Sequence, residues 1–370
     1  MTVKEKLIME LIRENPSVSQ DQLAKKAGMS RAAVSVHISN LMKKGYIAGR
    51  GYILDEAPFV CVLGGANIDI IGHADGALQA EDSNPGKVYT SPGGVGRNIA
   101  ENLARMGVDV KLISAIGSDT FGKQTYEETR AAGVDMQHAY IDNENRHSSY
   151  LAILDQNGEL KMGVSDMEMI DCFSLQHIQQ KRNMISRAAY VVLDCNLDTA
   201  ALEMVLDASR GPVYLDAVSA AKAARARSLI GRFDTIKVNC MEAQVLTGLT
   251  IDKNSEADWS RAVDGFLATG VRRVILTLGR RGIFWKSRES EGFIPGQSAP
   301  VNNATGAGDS FTASLVYAAF RGLDDDRAVH VAQYIFNLTL QSEFSVSRDI
   351  TPSRMKRLFE RAEANREVKE

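Results

Sequence analysis

Residues 303–311 read NATGAGDSF, and the apolar positions that follow, Leu315, Ala318 and Ala319, keep helical spacing. The stretch is a glycine-rich turn that opens a helix. Glycine at Gly306 and Gly308 lets successive backbone amides converge with no Cβ in the way. The helix start adds a partial positive charge, so anionic oxygen is favoured there. Asp309 falls in the first turn, where a carboxylate beside an anion site raises the energy unless it has a task. Taking the proton from a hydroxyl that attacks phosphorus is such a task. Meeting the helix dipole or capping the helix is the alternative, and the stretch alone leaves both open.

Upstream, FVCVLGG, VKLISAIG, AYVVLD, PVYLDA, DTIKVN and RRVILTLG are short, nearly continuous apolar runs, each followed by an amphipathic segment. That alternation predicts an α/β fold: a mostly parallel, doubly wound sheet covered by helices on both faces, with ligands at the carboxyl ends of the strands. Ile70 to Ser91 and His147 to Val164 break the rhythm with polar–apolar alternation, and Asn157-Gly158 marks a tight turn. These two stretches predict antiparallel pieces forming a small sheet over the site.

Two further glycine-rich loops compete for phosphate. GSDTFGKQ, Gly117 to Gln124, nearly fits a P-loop, but Gln124 has no hydroxyl for magnesium and Asp119 places a carboxylate inside the cradle. A strand-to-helix turn is the better reading. PGGVGRN, Pro92 to Asn98, opens a helix through Val95, Ile99, Leu103 and Met106 but lacks the third glycine of a dinucleotide fingerprint.

The first 54 residues carry nine Lys/Arg against four Asp/Glu, a balance of +5 in a chain whose net charge is −3, leaving −8 for the rest. A basic head suits an acidic partner, although a merely solvated surface has the same composition. The pattern parses as three short helices: Leu7, Ile8, Leu11 and Ile12 stripe the first, Ser19 caps the second and Gly28 ends it, and Ser30 caps a third with Val34, Ile38 and Leu41 inward. Tyr46-Ile47 and Tyr52-Ile53-Leu54 around Gly49-Arg50-Gly51 then predict a hairpin. This resembles a winged helix-turn-helix module. The resemblance implies DNA contact by Arg31, Ala32, Ser35 and His37 of the third helix and by Arg50 on the wing, with Lys25, Lys26, Lys43 and Lys44 attracting phosphate. A helical module for protein contacts is the alternative. The expected domains are 1–56 and 57–370, with LDEAPF as linker.

Cys61, Cys172, Cys195 and Cys240 are too scattered for zinc or a disulfide scaffold, and the six histidines show no metal spacing. The charged opening MTVKEKLIMELIRENP is unlike a signal peptide, and no run approaches a membrane span, so a cytoplasmic protein with no membrane partner is expected.

Across about residues 58–362 the chain resembles the ribokinase-like (PfkB) family of carbohydrate and nucleoside kinases. GGVGRN matches its amino-terminal signature and NATGAGD its carboxy-terminal one, with GGANID, IGSDTFG, NCME and TLGRRGIF agreeing in order. The resemblance implies ATP and Mg2+ as cofactors and Asp309 as the base. It makes the amides of Gly306, Ala307 and Gly308 the anion hole for the transferring phosphoryl group. Asn239 and Glu242 would organise magnesium largely through water, and Thr277 and Gly279 would line the ATP site beside Gly306, Gly308 and Asn239. Asn67, Asp69, Gly93, Gly94 and Asn98 would hold hydroxyls of the acceptor. The two irregular stretches become a lid that excludes water, and a homodimer is expected.

Asn303 stands where the signature usually starts with Asp, which removes an anionic ligand near the family's monovalent-cation site and leaves a potassium requirement open. SPGGVGRNIAENLARMG, DCNLD, DAVSAAKA and NATGAGD are together most similar to the pseudouridine kinase branch, which implies phosphorylation of the 5'-hydroxyl of a C-nucleoside. Another nucleoside or a free sugar such as ribose remains an alternative. So does a transcriptional regulator whose kinase-like domain only senses a ligand.

Overall fold

The computed structural model describes residues 1–16, 18–47, 57–296 and 305–367. Contacts divide the chain into two units, Met1–Pro58 and Phe59–Glu370.

In the first unit, helices Val3–Glu14, Gln20–Ala27 and Arg31–Lys43 enclose a core of Ile8, Ile12, Val18, Leu23, Val34, Ile38, Leu41 and Ile47. Ser19 caps the second helix through the Gln22 amide and Ser30 the third through the Ala33 amide, while Gly28 ends the second with φ +60°. The first helix has an unanticipated cap, a reciprocal pair in which Thr2 accepts from the Glu5 amide and Glu5 from the Thr2 amide. Leu7 departs from its expected inward stripe: it is 38% exposed, because the two neighbouring helices cover only the Ile8–Ile12 side. Of the expected hairpin, the first arm Tyr46-Ile47 is described, with Ile47 buried in this core, while Arg50 at the tip and the second arm fall in 48–56, outside the described residues.

The strands of the second unit are β1 (Val60–Leu63), β2 (Asn67–Ala74), β3 (Gly86–Gly93), β4 (Val110–Ile113), β5 (Ala115–Gly117), β6 (Tyr140–Asp142), β7 (Ser149–Leu154), β8 (Leu160–Asp166), β9 (Tyr190–Asp194), β10 (Val213–Asp216), β11 (Thr235–Asn239), β12 (Arg273–Thr277), β13 (Gly282–Ser287) and β14 (Glu291–Pro295). The main sheet runs β14-β13-β12-β11-β10-β9-β1-β4. From β4 to β12 its pairs are parallel, and β13 and β14 close one edge as an antiparallel meander. Strands buried on both faces need apolar side chains on both: Val60 and Val62 face one helix layer, Cys61 and Leu63 the other. Helices Val95–Arg105, Ala307–Phe320 and Asp325–Leu340 pack on the Val60 side, with Ile99, Leu103, Phe311, Leu315, Val316, Val329 and Ile335 in the core. Phe311 is fully enclosed, which contributes about 2–3 kcal/mol of apolar burial.

The interrupting stretches form a separate four-stranded sheet, β3-β2-β7-β8. Two of its pairs are antiparallel as expected, with Gly158 at φ +77° in the turn joining β7 to β8, but β2 and β7 pair in parallel. The segments between β2 and β7 carry helices as well as strands, and only such a crossover returns the chain in the same direction. All seven residues of β8 are exposed.

Candidate active site

Register lines up the carboxyl ends of the central strands. Asp194 of β9 pairs with Asp216 of β10, Asp216 with Lys237 of β11, and Asn239 of β11 with Thr277 of β12. Two carboxylates and an ammonium therefore end up side by side beneath the helix starts, where an open α/β sheet collects ligands.

Helix Ala307–Phe320 begins directly over this row. Its N-cap is Gly306 with φ +79°, and a Cβ there would drive into the Ser345 carbonyl, so glycine is required by conformation and by space. Asp309 makes no capping bond; its Oδ2 accepts from Asn98 Nδ2 at 2.7 Å. The capping alternative for Asp309 therefore has no support. Asn98, in helix Val95–Arg105, is itself fixed, since Arg97 donates to its Oδ1 and also pairs with Glu101. Both ends of the Asn98 amide are engaged, so it orients Asp309. Asp309 is 8% exposed, and burial first, then the nearby Asp216 and Asp194, push its carboxyl up to about 7 against the opposing Asn98 bond and Lys237.

The acidic row is held by backbone amides. Asp194 accepts from the amides of Gly65 at 2.9 Å and Asn196 at 2.8 Å, and a side chain at Gly64 would overlap its carboxylate. Asp216 accepts from Thr312 Oγ1 at 2.8 Å and the Val218 amide at 3.1 Å, and pairs with Lys237 Nζ at 2.8 Å. Val218 adopts φ +66° as the Ser219 amide turns back to the Ala217 carbonyl, a strained conformation for a β-branched residue beside a site.

On the side facing the four-stranded sheet, Asn67 Nδ2 donates to Asp69 Oδ1 at 2.7 Å. Burial raises the Asp69 carboxyl above its usual range, opposed by its bonds to Asn67 and Ser345 and by Arg97. A Cβ at Gly93 would overlap the Asp69 carboxylate, and Gly94, at φ +96°, lies against the Gly65 carbonyl and Ala66. Asn67, Asp69, Gly93 and Gly94 are thus brought together. Ser345 links Asp69 to the Gly306 turn.

Asn239 and Glu242 form a reciprocal cap on helix Cys240–Thr247: Asn239 Oδ1 accepts from the Glu242 amide at 2.9 Å, and Glu242 accepts from the Asn239 amide and Nδ2 at 2.8 Å each. Burial raises the Glu242 carboxyl, with Lys237 opposing. The described residues contain no group of three or more His, Cys, Asp or Glu able to hold a metal directly. The pair fits an ion held through its water shell rather than by direct ligation. Thr277 Oγ1 donates to the Val238 carbonyl at 3.3 Å, and Gly279 turns the chain with φ +61°.

Asp194, Asp216 and Lys237 were not singled out by sequence. For Asp194 and Asp216 the available signal is their place at the last position of apolar strands, and for Lys237 it is a single charge inside the strand TIKVN. Lys222 was likewise missed; its Nζ donates to Asn196 Oδ1 at 2.6 Å. The GSDTFGKQ loop is a structural turn: Asp119 caps the helix Thr120–Ala131 through the Gly122 amide, and Lys123 is exposed. In the N-terminal unit, Arg31, Ala32 and Ser35 are exposed on the third helix, His37 is half-buried, and Arg31 lies 3.6 Å from Asp21. Among the described residues no helix is long and apolar enough to cross a membrane.

The family model described as pfkB family carbohydrate kinase matches residues 57–347, and one described as winged helix-turn-helix DNA-binding matches residues 1–48. The chain is 36% identical over 326 residues to the uncharacterized sugar kinase YeiI of Escherichia coli K12, covering 87% of this chain and 89% of that one. It is 34% identical over 313 residues to the pseudouridine kinase of the same organism, covering 83% and 98%. Among solved structures, a carbohydrate kinase from Agrobacterium tumefaciens aligns with TM-score 0.70 and 27% identity over 82% of this chain and 97% of that one.

Proposed function

The chain belongs to the pfkB family of carbohydrate kinases, and from that premise we propose that the Asp309 pocket transfers the terminal phosphoryl group of ATP to the 5'-hydroxyl of a ribonucleoside, pseudouridine first. The supporting observation is the buried Asp309 carboxylate, held by Asn98 at the mouth of a glycine-turn helix over the strand ends. Asp309 Oδ1 has no partner among the described residues and is the atom that receives the acceptor's proton. The acceptor oxygen then bonds to phosphorus, the bond from phosphorus to the bridging oxygen breaks, and ADP leaves. The amides of Gly306, Ala307 and Gly308 hold the phosphoryl oxygens, which develop charge during transfer. Magnesium, when bound, neutralises phosphate oxygens, and Asn239 and Glu242 would hold its water shell; Thr277 and Gly279 would line the nucleotide. Asn67 and Asp69, fixed by each other and by Gly93, orient acceptor hydroxyls, and the four-stranded sheet excludes water as a competing acceptor.

For the N-terminal unit, the exposed Arg31, Ala32 and Ser35 on a helix-turn-helix favour duplex DNA as its partner. A sensor without catalysis would have no use for a carboxylate buried at a cost beside an anion-holding turn, so catalysis is preferred. The test is ADP formation with a panel of pseudouridine, uridine, other nucleosides and ribose, with NMR locating the added phosphate. Pseudouridine is expected to give the highest kcat/KM and a 5'-phosphate. Turnover with free ribose alone would refute the nucleoside assignment, and no turnover with any acceptor would favour the sensor.

A further inference from the structure

We propose that Lys237 is a further catalytic residue: its ammonium, lodged beneath the Gly306–Gly308 turn, binds the phosphoryl group in transit and not the diphosphate left behind. The assignment rests on the kinase reading above and adds a residue to it.

The geometry carries the argument. Lys237 is near the end of β11 with its side chain 11% exposed, and its Nζ lies 2.8 Å from Asp216 Oδ2. Asp216 cannot swing away easily, because Thr312 in the helix Ala307–Phe320 and the Val218 amide both donate to it. A Cβ built on Gly308 would stand 3.0 Å from Lys237 Nζ, so the ammonium touches the very turn whose amides face the anion. Glycine at 308 thus leaves room for the ammonium as well as for the bend.

Charge gives the second reason. The groups facing this space are Asp194 from β9, Asp216 from β10, Glu242 from the helix Cys240–Thr247 and Asp309 itself. Arg97, on the helix Val95–Arg105, is turned to Glu101 and Asn98. A phosphoryl group arriving among four carboxyl groups meets repulsion unless a cation is already in place. An ammonium has three donors, and the Asp216 contact leaves others to point at the turn. A buried ion pair used only for stability is a poor investment of desolvation, whereas one that faces a substrate anion has a function.

The experiment is calorimetric titration of the full chain, with magnesium, by ADP and by the non-hydrolysable β,γ-imido analogue of ATP. The proteins are the wild type, Lys237→Met and the double variant Asp216→Asn/Lys237→Met, which removes both charges and so protects the fold. A lost charge-assisted contact to the terminal phosphate corresponds to a weakening on the order of tenfold or more. The expected result is that loss for the imido analogue in both variants, with ADP affinity held within about twofold. Equal weakening of both nucleotides, or unchanged binding of the imido analogue, would overturn the assignment while leaving the kinase reading intact. Wild-type protein that binds neither nucleotide would overturn both.

Discussion

Replacing Asp309 by asparagine is expected to stabilise the kinase unit, by an amount that grows with pH. In the unfolded chain this carboxyl titrates near 3.8, whereas in the folded protein burial and Asp216 lift it to about 7. Between those values the folded state binds one proton more than the unfolded state, so stability falls as pH rises through the window and levels off above about 7. Lifting the carboxyl that far corresponds to about 4 kcal/mol, of which about 3 kcal/mol accrues between pH 5 and pH 8; relaxation around the charge makes this a ceiling. Asparagine is neutral at every pH, and its carbonyl still accepts from Asn98. Thermal melts at pH 5 and pH 8 read the effect. The melting advantage of the variant should be several degrees larger at pH 8, since roughly 1 kcal/mol moves Tm by about 2–4 °C in a unit of 150–250 residues and somewhat less in a larger one. An advantage that is absent, or equal at the two pH values, would refute the placement of a strained carboxylate at this position.

If the same carboxylate is the base, kcat/KM for the acceptor should fall about tenfold per pH unit below about 7 and reach a plateau above, because only the deprotonated form accepts a proton; a profile flat from pH 5 to 8 would contradict this. Gly306→Ala should destabilise the fold by about 2 kcal/mol or more and abolish turnover, since the position combines φ +79° with contact to the Ser345 carbonyl; urea titration measures it. Arg31→Ala should weaken binding to DNA from the protein's own upstream region and lower the slope of log K against log salt by about 1, as expected for one phosphate contact; an unchanged slope would remove Arg31 from the interface.

The features that sequence conveys well here are the local ones. Near-continuous apolar runs announce β1, β4 and β9 to β12, serines followed three residues later by the amides they cap announce two helix starts, and the Gly306–Asp309 stretch announces a third helix. What depends on pairing between distant segments is less legible. The parallel β2–β7 contact joins stretches far apart along the chain, and each alone reads as a hairpin arm. Asp194, Asp216 and Lys237 become neighbours only through strand register, so no spacing along the chain links them. Val218 is a β-branched residue at φ +66°, a conformation that local preference argues against and that its surroundings impose. Asn98 is legible in the sequence as a candidate site residue, but not as the group that aims Asp309, because that depends on Arg97 engaging the other end of its amide.

The proposed role of Asp309 is to take the proton of the acceptor alcohol. Its most direct test is the initial rate of pseudouridine-dependent ADP formation by the wild type and by Asp309→Asn, at saturating substrates and pH 8, alongside nucleoside affinity measured by calorimetry. Loss of a general base predicts a fall of about 10²–10⁴-fold in kcat with nucleoside affinity nearly unchanged. A variant that turns over at the wild-type rate would contradict it.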